Sequence, residues 1–508
     1  MKPAVRQKAL LARMLSLILG SLAIIRPFES SGATCHARPL PAFPGAEGFG
    51  AKAVGGRGGR VFEVINLNDS GSGSLRNCII ASGPRTCVFH RGGTITLLTP
   101  LKVLNPFLTI AGQTAPGGGI TLKNDPSNKK SALWIQTHDV IVRYIRSRPG
   151  PSNALNASLD AIRVNGSDAV SGTRIGATDV HDVIIDHCSV GWAVDENIAL
   201  TGAQDTTIQW CIISEGLYRS VHFKGTHSRG LVIRQNSARV TAHHNLMAHH
   251  EYRNPQLGHE VDDIEVINNV TYNWKKRAFN GNMTVAGFHT DASIIGNYFK
   301  KGVNSSLAKK DIYLVKPDVG TWSLYLKGNI GPSRPNDTMP DSASVDRSDQ
   351  RWMVPTPSFP PSGMGNTTAA QAYNDVLAKA GARIPVLDSV DQRIISDVQS
   401  GTGQLIDHPS QVGGWPVLAA GVPPVDTDHD GMPDRWEQQY GFDSNDATDG
   451  AADADCDGYT NVEEFLNVTA PCQLESGVKP RHTATGTCAG RVDRNTTRAR
   501  RKSFLSPN

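Results

Sequence analysis

The sequence predicts an all-β solenoid of stacked coils, followed by a short helical region and a small calcium-binding appendage. Short apolar runs of β type recur between residues 181 and 329, as in repeat proteins whose coils stack on one another. The runs end at one equivalent position, which is occupied in turn by Cys188, Cys211, Asn245, Asn269, Asn297 and Asn329. A column of asparagines suits stacked coils, because each amide can donate to one neighbour and accept from the other.

The first 33 residues have the pattern of a secretion signal. Basic residues precede an apolar run at residues 14–25, and the small residues Ser31, Gly32 and Ala33 follow it. The run is too short to anchor the chain in a membrane, and no second long apolar run follows. A lipoprotein modified at Cys35 is the weaker alternative, since no aliphatic residue stands directly before that cysteine. We therefore expect a secreted, extracellular protein without a membrane partner.

The composition restricts the class of partner. A chain of 508 residues with a formal net charge of +4 is long enough for one large domain with an appendage, and its charge does not indicate nucleic acid. A basic run lies between Arg491 and Lys502, in a tail at residues 473–508 that we expect to be disordered. We expect the protein to be a monomer.

Eight cysteines make disulfides permissible in a secreted chain. Cys78 and Cys87 flank a Gly-Pro turn and are the first pair that we expect. Cys188 and Cys211 are expected to remain thiols that stack inside the solenoid. The cysteines available for a bridge near the C-terminus are Cys456, Cys472 and Cys488.

Changes in composition divide the chain after the signal. The solenoid is predicted to span residues 34–331, and a Pro-rich loop with helices is predicted to span residues 332–420. Within the second region, helices are predicted at residues 367–380 and 388–399, with Asp388 as the N-cap of the second. Solenoids need a polar cap over the last coil, and we expect these two helices to supply it.

Two acidic loops in residues 421–472 match the spacing of a calcium loop. Each loop places oxygen ligands at positions 1, 3, 5, 9 and 12 and glycine at position 6, so that the ligands surround one point. The residues that offer ligands are Asp426, Asp428, Asp430, Asp434 and Glu437 in the first loop, and Asp453, Asp455, Asp457, Asn461 and Glu464 in the second. The module resembles dockerin or thrombospondin-type repeats. We expect calcium to stiffen it, with docking of a protein partner as the alternative.

Six segments, in order along the chain, resemble the pectate lyase family of polysaccharide lyases. They are residues 43–50 (FPGAEGFG), 67–76 (LNDSGSGSLR), 109–116 (TIAGQTAP), 185–189 (IDHCS), 243–245 (HHN) and 253–255 (RNP). Ordered matches are far more specific than any one motif. The resemblance implies a right-handed parallel β-helix and calcium-dependent β-elimination of polygalacturonate, the de-esterified form of pectin.

The resemblance also implies the residues of the active site. By matching positions, Asp160 and Asp195 bind Ca²⁺, Glu196 is a further ligand, and Arg253 is the base that removes the C5 proton of a uronate. Calcium shared between protein acids and the substrate carboxylate would stabilise the enolate-like transition state. A free guanidinium stays protonated, so this role requires a site that lowers the pKa of the arginine.

Two residues of an inserted loop are candidates for holding substrate carboxylates. They are His222 and Lys224, and a role as solvated loop residues has equal weight. Two positions depart from the family pattern. Gly258 stands where many members have an arginine, and Ala199 stands where many have a further aspartate.

Three classes of function remain. The first is a pectate lyase. The second is another β-helix carbohydrate enzyme, such as a pectin lyase, which would not be expected to keep acids at positions 160 and 195, or a hydrolase, which needs a well-separated acid pair. The third is a non-catalytic carbohydrate-binding or adhesion solenoid, which the two departures would favour.

Overall fold

The computed structural model describes residues 40–153, 157–166 and 179–468. The expected signal peptide at residues 1–33 and the expected tail at residues 473–508 lie outside the described residues. So do three of the eight cysteines, Cys35, Cys472 and Cys488.

Short strands dominate the described residues. In chain order they are β1 (Arg60–Val64), β2 (Arg85–Phe89), β3 (Gly93–Leu97), β4 (Leu101–Val103), β5 (Leu108–Ala111), β6 (Ile120–Asn124), β7 (Leu133–Ile135), β8 (Val140–Arg143), β9 (Arg146–Ser147), β10 (Ile162–Asn165), β11 (Val183–Asp186), β12 (Ser189–Gly191), β13 (Glu196–Thr201), β14 (Gln204–Gln209), β15 (Ile212–Ser214), β16 (Arg229–Arg234), β17 (Ser237–His243), β18 (Leu246–Ala248), β19 (Gln256–Leu257), β20 (Val261–Ile267), β21 (Val270–Tyr272), β22 (Phe279–Asn282), β23 (His289–Ile295), β24 (Tyr298–Lys300), β25 (Ile312–Val315) and β26 (Thr321–Lys327).

The strands form three parallel sheets that the chain visits in turn. Sheet 1 contains β1, β2 and then every third strand to β26; sheet 2 runs from β3 to β24, and sheet 3 from β4 to β25, again by threes. Each turn of chain therefore adds one strand to each sheet, and every neighbour is parallel. This is a right-handed parallel β-helix, which confirms the predicted solenoid.

The predicted asparagine column lies inside the helix, after the strands of sheet 1. Nδ2 of Asn245 donates to Oδ1 of Asn269 at 2.9 Å, Asn269 donates to Asn297 at 3.0 Å, and Asn297 donates to Asn329 at 2.9 Å. Each Oδ1 also accepts the backbone amide of the coil before it, as from Asn245 to Asn269 at 3.0 Å. The column thus satisfies polar groups that no water reaches.

The disulfide and the two free thiols that the sequence predicts are present among the described cysteines. Cys78 and Cys87 form a disulfide. Cys188 and Cys211 are free, buried thiols in the column, one coil apart, and the amide of Cys188 lies 3.4 Å from Sγ of Cys211. Cys456 is also disulfide-bonded.

Five α-helices and six 3-10 turns accompany the strands in the described ranges. The helices are α1 (Leu75–Ile80), α2 (Ala369–Lys379), α3 (Ser389–Ser400), α4 (Asp434–Tyr440) and α5 (Asn461–Asn467). The 3-10 turns are Phe49–Lys52, Gly112–Thr114, Pro317–Val319, Asp341–Ser344, Asp349–Trp352 and Pro409–Val412. No helix among these is long and apolar enough to cross a membrane.

Helices α2 and α3 occur where the sequence predicts them, but they lie along sheet 2. Val376 of α2 and Ile394 of α3 pack against the outward side chains of sheet 2, among them Ile212 and Leu246. The last coil is covered instead by the segment before the helices. There Val345 enters the core, and Met353 forms a parallel bridge with Leu324 of β26.

Candidate active site

The candidate residues meet at the N-terminal ends of neighbouring strands in sheet 3. Asp160 lies just before β10, Asp195 and Glu196 lie at the start of β13, and Arg253 lies just before β19. Strands β10, β13, β16 and β19 are successive neighbours, so the ends of their preceding loops are stacked. Carboxylate oxygens of Asp160, Asp195 and Glu196 lie within 4.8 Å of one another.

Asp160 is the most enclosed aspartate of this acid cluster, with 3% of its surface exposed. Its Oδ1 accepts the amide of Glu196 at 3.1 Å, and its Oδ2 accepts the hydroxyl of Ser131 at 3.3 Å. Burial, followed by the charge of Asp195, raises the pKa of Asp160 to about 7. A divalent cation would relieve the like-charge repulsion that contributes to this shift.

Asp195 has hydrogen-bond donors on both carboxylate oxygens. Ser158 donates to Oδ2, and Nε2 of His227 lies 2.6 Å from Oδ1. Nε2 of His222 lies 3.6 Å from the same Oδ1. Burial opposes ionisation of Asp195, but these imidazoles and the serine outweigh it and hold its pKa well below the usual range. Asp195 is therefore an anion beside Asp160.

The tautomer of His227 follows from its second ring nitrogen. Nη2 of Arg229 lies 3.2 Å from Nδ1 of His227, and arginine can only donate. Burial lowers the pKa of His227 to about 4, so the ring is neutral near pH 7. Its one hydrogen is therefore on Nε2 and is donated to Asp195. Arg229 in turn contacts Glu251 and stacks over Tyr252, with its guanidinium carbon 3.7 Å from the ring centroid.

Arg253 faces the acid cluster from the next coils. Its Nη1 contacts Oε1 of Glu196, and the residue is 9% exposed. Its backbone has φ 69°, in the left-handed region, and its carbonyl accepts the amide of Leu231 at 2.7 Å. Burial lowers the pKa of the guanidinium, while the charges of Asp195 and Asp160 act in the opposite direction. A cation among the acids would offset the charges of Asp195 and Asp160, so that burial lowers the pKa of Arg253 further.

The two loop candidates occupy different surroundings. His222 is buried, stacks on His227 with 3.6 Å between ring centroids, and lies beside Asp195. Lys224 is exposed, and its ammonium lies 5.1 Å from the ring of the exposed Phe223. The structure thus brings His222 to the acid cluster and leaves Lys224 on the surface of the loop.

Two arginines near the cluster are not identified by the sequence reasoning. Nη1 of Arg163 lies 3.7 Å from Oδ2 of Asp160, and Arg234 acts on the same carboxyl electrostatically. Arg163 pairs with Ala199 in register, and a Cβ on Gly258 would lie 2.6 Å from Cβ of Arg234. Both departures from the family pattern therefore lie next to an arginine. The alternation of inward and outward side chains along these strands could have identified the two arginines, because Arg163 and Arg234 occupy outward positions of sheet 3.

The tandem loops share one pattern of internal hydrogen bonds. Oδ2 of Asp426 accepts the amide of Gly431 at 3.0 Å, and Oδ2 of Asp453 accepts the amide of Gly458 at 3.0 Å. The other matched carboxylate–amide pairs are Asp428–Asp430 with Asp455–Asp457, and Asp430–Met432 with Asp457–Tyr459. The two matching sequences therefore fold into matching loops.

Positions 9 and 12 of the loops have distinct surroundings. Asp434 accepts the amide and the hydroxyl of Thr427, each at 2.7 Å, and Asn461 accepts the equivalent amide of the second loop at 3.2 Å. Glu437 and Glu464 are buried, at 0% and 2% exposed. Burial, and then the charges of neighbouring aspartates, raise the pKa of Glu437 to about 8 and of Glu464 to about 9.

The chemistry of both sites fits a hard cation. Each gathers buried carboxylate oxygens, which are the ligands that Ca²⁺ prefers. In each site the pKa of one acid is raised, at Asp160 and at Glu437, so a bound cation would replace the proton on that acid. The residues that would hold the ion are Asp160, Asp195 and Glu196 at sheet 3, and the acids of the loops in the C-terminal module. Fold and site together define a parallel β-helix protein with an acid cluster against a buried arginine.

Comparison with known proteins gives the family. No family model matches the chain. A probable pectate lyase C of Aspergillus terreus is 37% identical over 450 residues, covering 86% of this chain and 96% of that protein. A probable pectate lyase C of Neosartorya fischeri is 36% identical over 440 residues, covering 85% and 94%. A solved structure of jun a 1, the major cedar pollen allergen, matches 68% of this chain and 93% of its own at 17% identity, with a TM-score of 0.45. The chain belongs to the pectate lyase family of polysaccharide lyases.

Proposed function

We propose that this chain is a secreted pectate lyase that cleaves polygalacturonate by calcium-dependent β-elimination. One observation carries the proposal. The acids Asp160, Asp195 and Glu196 lie close to one another and to the buried Arg253, at the N-terminal ends of neighbouring strands in sheet 3. The names of the two fungal relatives, probable pectate lyases, support the substrate class. The N-terminal signal pattern supports secretion.

Each residue of the cluster has a part in the reaction. Calcium, when bound, supplies positive charge that neutralises the uronate carboxylate. Asp160 and Asp195 would hold it through their oxygens, and Glu196 would be a further ligand that also positions Arg253. Neutral Arg253 accepts the C5 proton, the electron pair of that bond forms the new double bond, and the bond from the adjacent carbon to the glycosidic oxygen breaks. The oxygen leaves with the electron pair of the broken bond and takes a proton from water, and Arg253 returns its proton to solvent. Burial favours the neutral guanidinium that this step needs.

Cationic groups around the cluster would bind the carboxylates of neighbouring sugars. Arg163 and Arg234 lie on the same face of sheet 3 as the acids, and Lys224 is exposed on the inserted loop. His222 would contribute from the buried side of that loop. The polymer carries one carboxylate per unmethylated unit, so a cationic surface around the cluster would favour polygalacturonate over methylated pectin.

The tandem loops at residues 421–472 would bind calcium independently of the active site. Their matching folds and enclosed acids support two such sites. Docking of a protein partner through the same module is the alternative role, and it does not exclude the first.

The experiment measures ultraviolet absorbance of unsaturated product from polygalacturonate and from highly methylated pectin, each with calcium and with chelator. We expect absorbance from polygalacturonate with calcium only, and we expect Asp160→Ala to abolish it. Product from methylated pectin in chelator would show a pectin lyase instead. New reducing ends without absorbance would show a hydrolase, and polymer binding without any product would show an adhesion solenoid.

A further inference from the structure

An acid outside both calcium motifs completes the first loop. Asp449 lies between the two loops, after α4, and its carboxylate joins those of Asp430 and Glu437 with ligand atoms within 4.8 Å of one another. Asp430 also belongs to a second such group with Asp426 and Asp428. Five acids thus surround one region, and one of them is not in the loop.

The buried oxygens of this group lack donors among the described residues. Glu437 is 0% exposed, and neither of its carboxylate oxygens accepts a hydrogen bond. Oδ2 of Asp430 and Oδ1 of Asp449 are likewise buried without a donor. An enclosed carboxylate without a donor or cation is costly, and here three share one place. A divalent cation would neutralise these carboxylates and supply the partner that their oxygens can accept.

The loops also attach to the first coils of the β-helix. Met432, Trp436, Val462 and Leu466 form an apolar cluster with Ala111, at the end of β5. Trp436 directly precedes Glu437 in α4, so the element that supplies the buried ligand also supplies the largest apolar contact. Closure of the loop around an ion would therefore fix the surface that packs on the helix.

Polar contacts extend the same attachment. Nε of Arg57 lies 3.0 Å from both carboxylate oxygens of Glu463. Nη1 of Arg143, in β8, donates to Asn467 at 2.7 Å. Nδ1 of His429, inside the first loop, lies 2.8 Å from Oε1 of Glu63 in β1. The described part of the module is thus a clamp on the first coils, rather than a separate appendage.

We infer that Asp449 completes a site for a hard divalent cation with Asp430 and Glu437, and that this ion locks residues 426–468 onto the first coils. The inference deepens the proposal that the tandem loops bind calcium, and it does not depend on lyase activity. It gives the module a role inside this chain that needs no docking partner.

Calorimetric titration with Ca²⁺ alone tests the ligand. Asp449→Asn keeps the size of the side chain and removes its charge, so we expect one site to weaken by about tenfold or more. Asp446→Asn is the matched control, because Asp446 is exposed in the same segment. Glu437→Gln is a second variant that must weaken the same site. Wild-type calcium binding in folded Asp449→Asn and Glu437→Gln would overturn the inference.

Thermal unfolding and hydrogen exchange test the clamp. We expect about 1 mM calcium to raise the melting temperature of the wild type and of Asp160→Ala by about 5 °C relative to chelator, and we expect a clearly smaller rise in Asp449→Asn, in which one of the two proposed loop sites is weakened. Peptides covering β1 and β2 should exchange faster in chelator, and peptides covering β26 should not. A calcium shift lost in Asp160→Ala and kept in Asp449→Asn would contradict the clamp. A retained clamp without any lyase activity would refute only the proposed function.

Discussion

Nε2 of His227 lies 2.6 Å from Oδ1 of Asp195, and its hydrogen is fixed there by Arg229 on the other ring nitrogen. The acid proposed to bind calcium is therefore oriented by a neutral imidazole, which is oriented in turn by a buried guanidinium. This arrangement resembles the outer contacts that orient ligands in metal sites. It makes His227 a positioning residue, because it acts through Asp195.

Replacement of His227 by alanine should weaken calcium at the active site. We expect His227→Ala to raise the dissociation constant by about tenfold, measured by calorimetry and by the calcium dependence of product absorbance. At saturating calcium, kcat should recover in large part. His289→Ala is the control, because that half-exposed histidine lies on sheet 1. An unchanged calcium affinity in folded His227→Ala would show that Asp195 needs no such support.

Arg234 is expected to bind substrate. Its guanidinium acts on Asp160, and its stem occupies the space beside Gly258. We predict that Arg234→Ala raises KM for polygalacturonate by about tenfold and changes kcat less, since the loss is one ion pair with a substrate carboxylate. Arg347→Ala, at an exposed position, is the control. A loss confined to kcat would instead give Arg234 a role in the chemical step.

The asparagine column should be a main source of stability. Asn269→Ala removes an acceptor for Asn245 and a donor to Asn297, and it leaves their buried groups without partners. We expect the free energy of unfolding to fall by about 3 kcal/mol in denaturant titration. Asn336→Ala, on the surface, should change it by less than about 0.5 kcal/mol. An equal effect of the two substitutions would contradict the role given to the column.

The contact of α3 with sheet 2 should depend on pH. Burial opposes ionisation of Asp388, but the charge of Arg148 outweighs it and lowers the pKa of Asp388 from 3.8 to about 2. A lowered carboxyl pKa stabilises the fold above pH 4 and loses this effect as pH falls through the folded value. The shift corresponds to about 2 kcal/mol at pH 7 and to about half of that at pH 3.

Asp388→Asn isolates this charge, because asparagine can also cap α3. We expect the variant to be less stable than the wild type at pH 7, with a difference that narrows toward pH 3 in urea titrations. Asp375→Asn, near the surface of α2, is the comparison. A difference that stays constant with pH would mean that the carboxylate charge of Asp388 does not stabilise the fold.

The sequence predicts the repeated parts of this molecule better than the singular ones. The asparagine column recurs in four coils, so the repeated pattern alone identifies Asn245 and Asn269 as neighbours. Helices α2 and α3 follow from their caps. Their place on sheet 2 does not, although Ile212 and Leu246 are outward-facing apolar residues that require a cover.

The missing parts of the site have a similar cause. Asp449 belongs to no motif, and its place beside Glu437 results from the turn between the loops. His227 lies beside Asp195 because it lies just before β16, the parallel neighbour of β13, in which Arg229 pairs with Glu196. Arg163 and Arg234 can be recognised as neighbours of the acid cluster only when the strand register of sheet 3 is known. Contacts between loops depend on tertiary packing, which local spacing does not encode.

The measurement that tests the central claim most directly is the rate of product absorbance from polygalacturonate for Arg253→Ala, with calcium binding measured on the same protein. We predict that kcat falls by at least about 1,000-fold, while calcium still binds at Asp160 and Asp195. Arg253→Lys should recover little, because a lysine ammonium does not reproduce the geometry of the guanidinium. Substantial activity in calcium-loaded Arg253→Ala would contradict Arg253 as the base and the mechanism built on it.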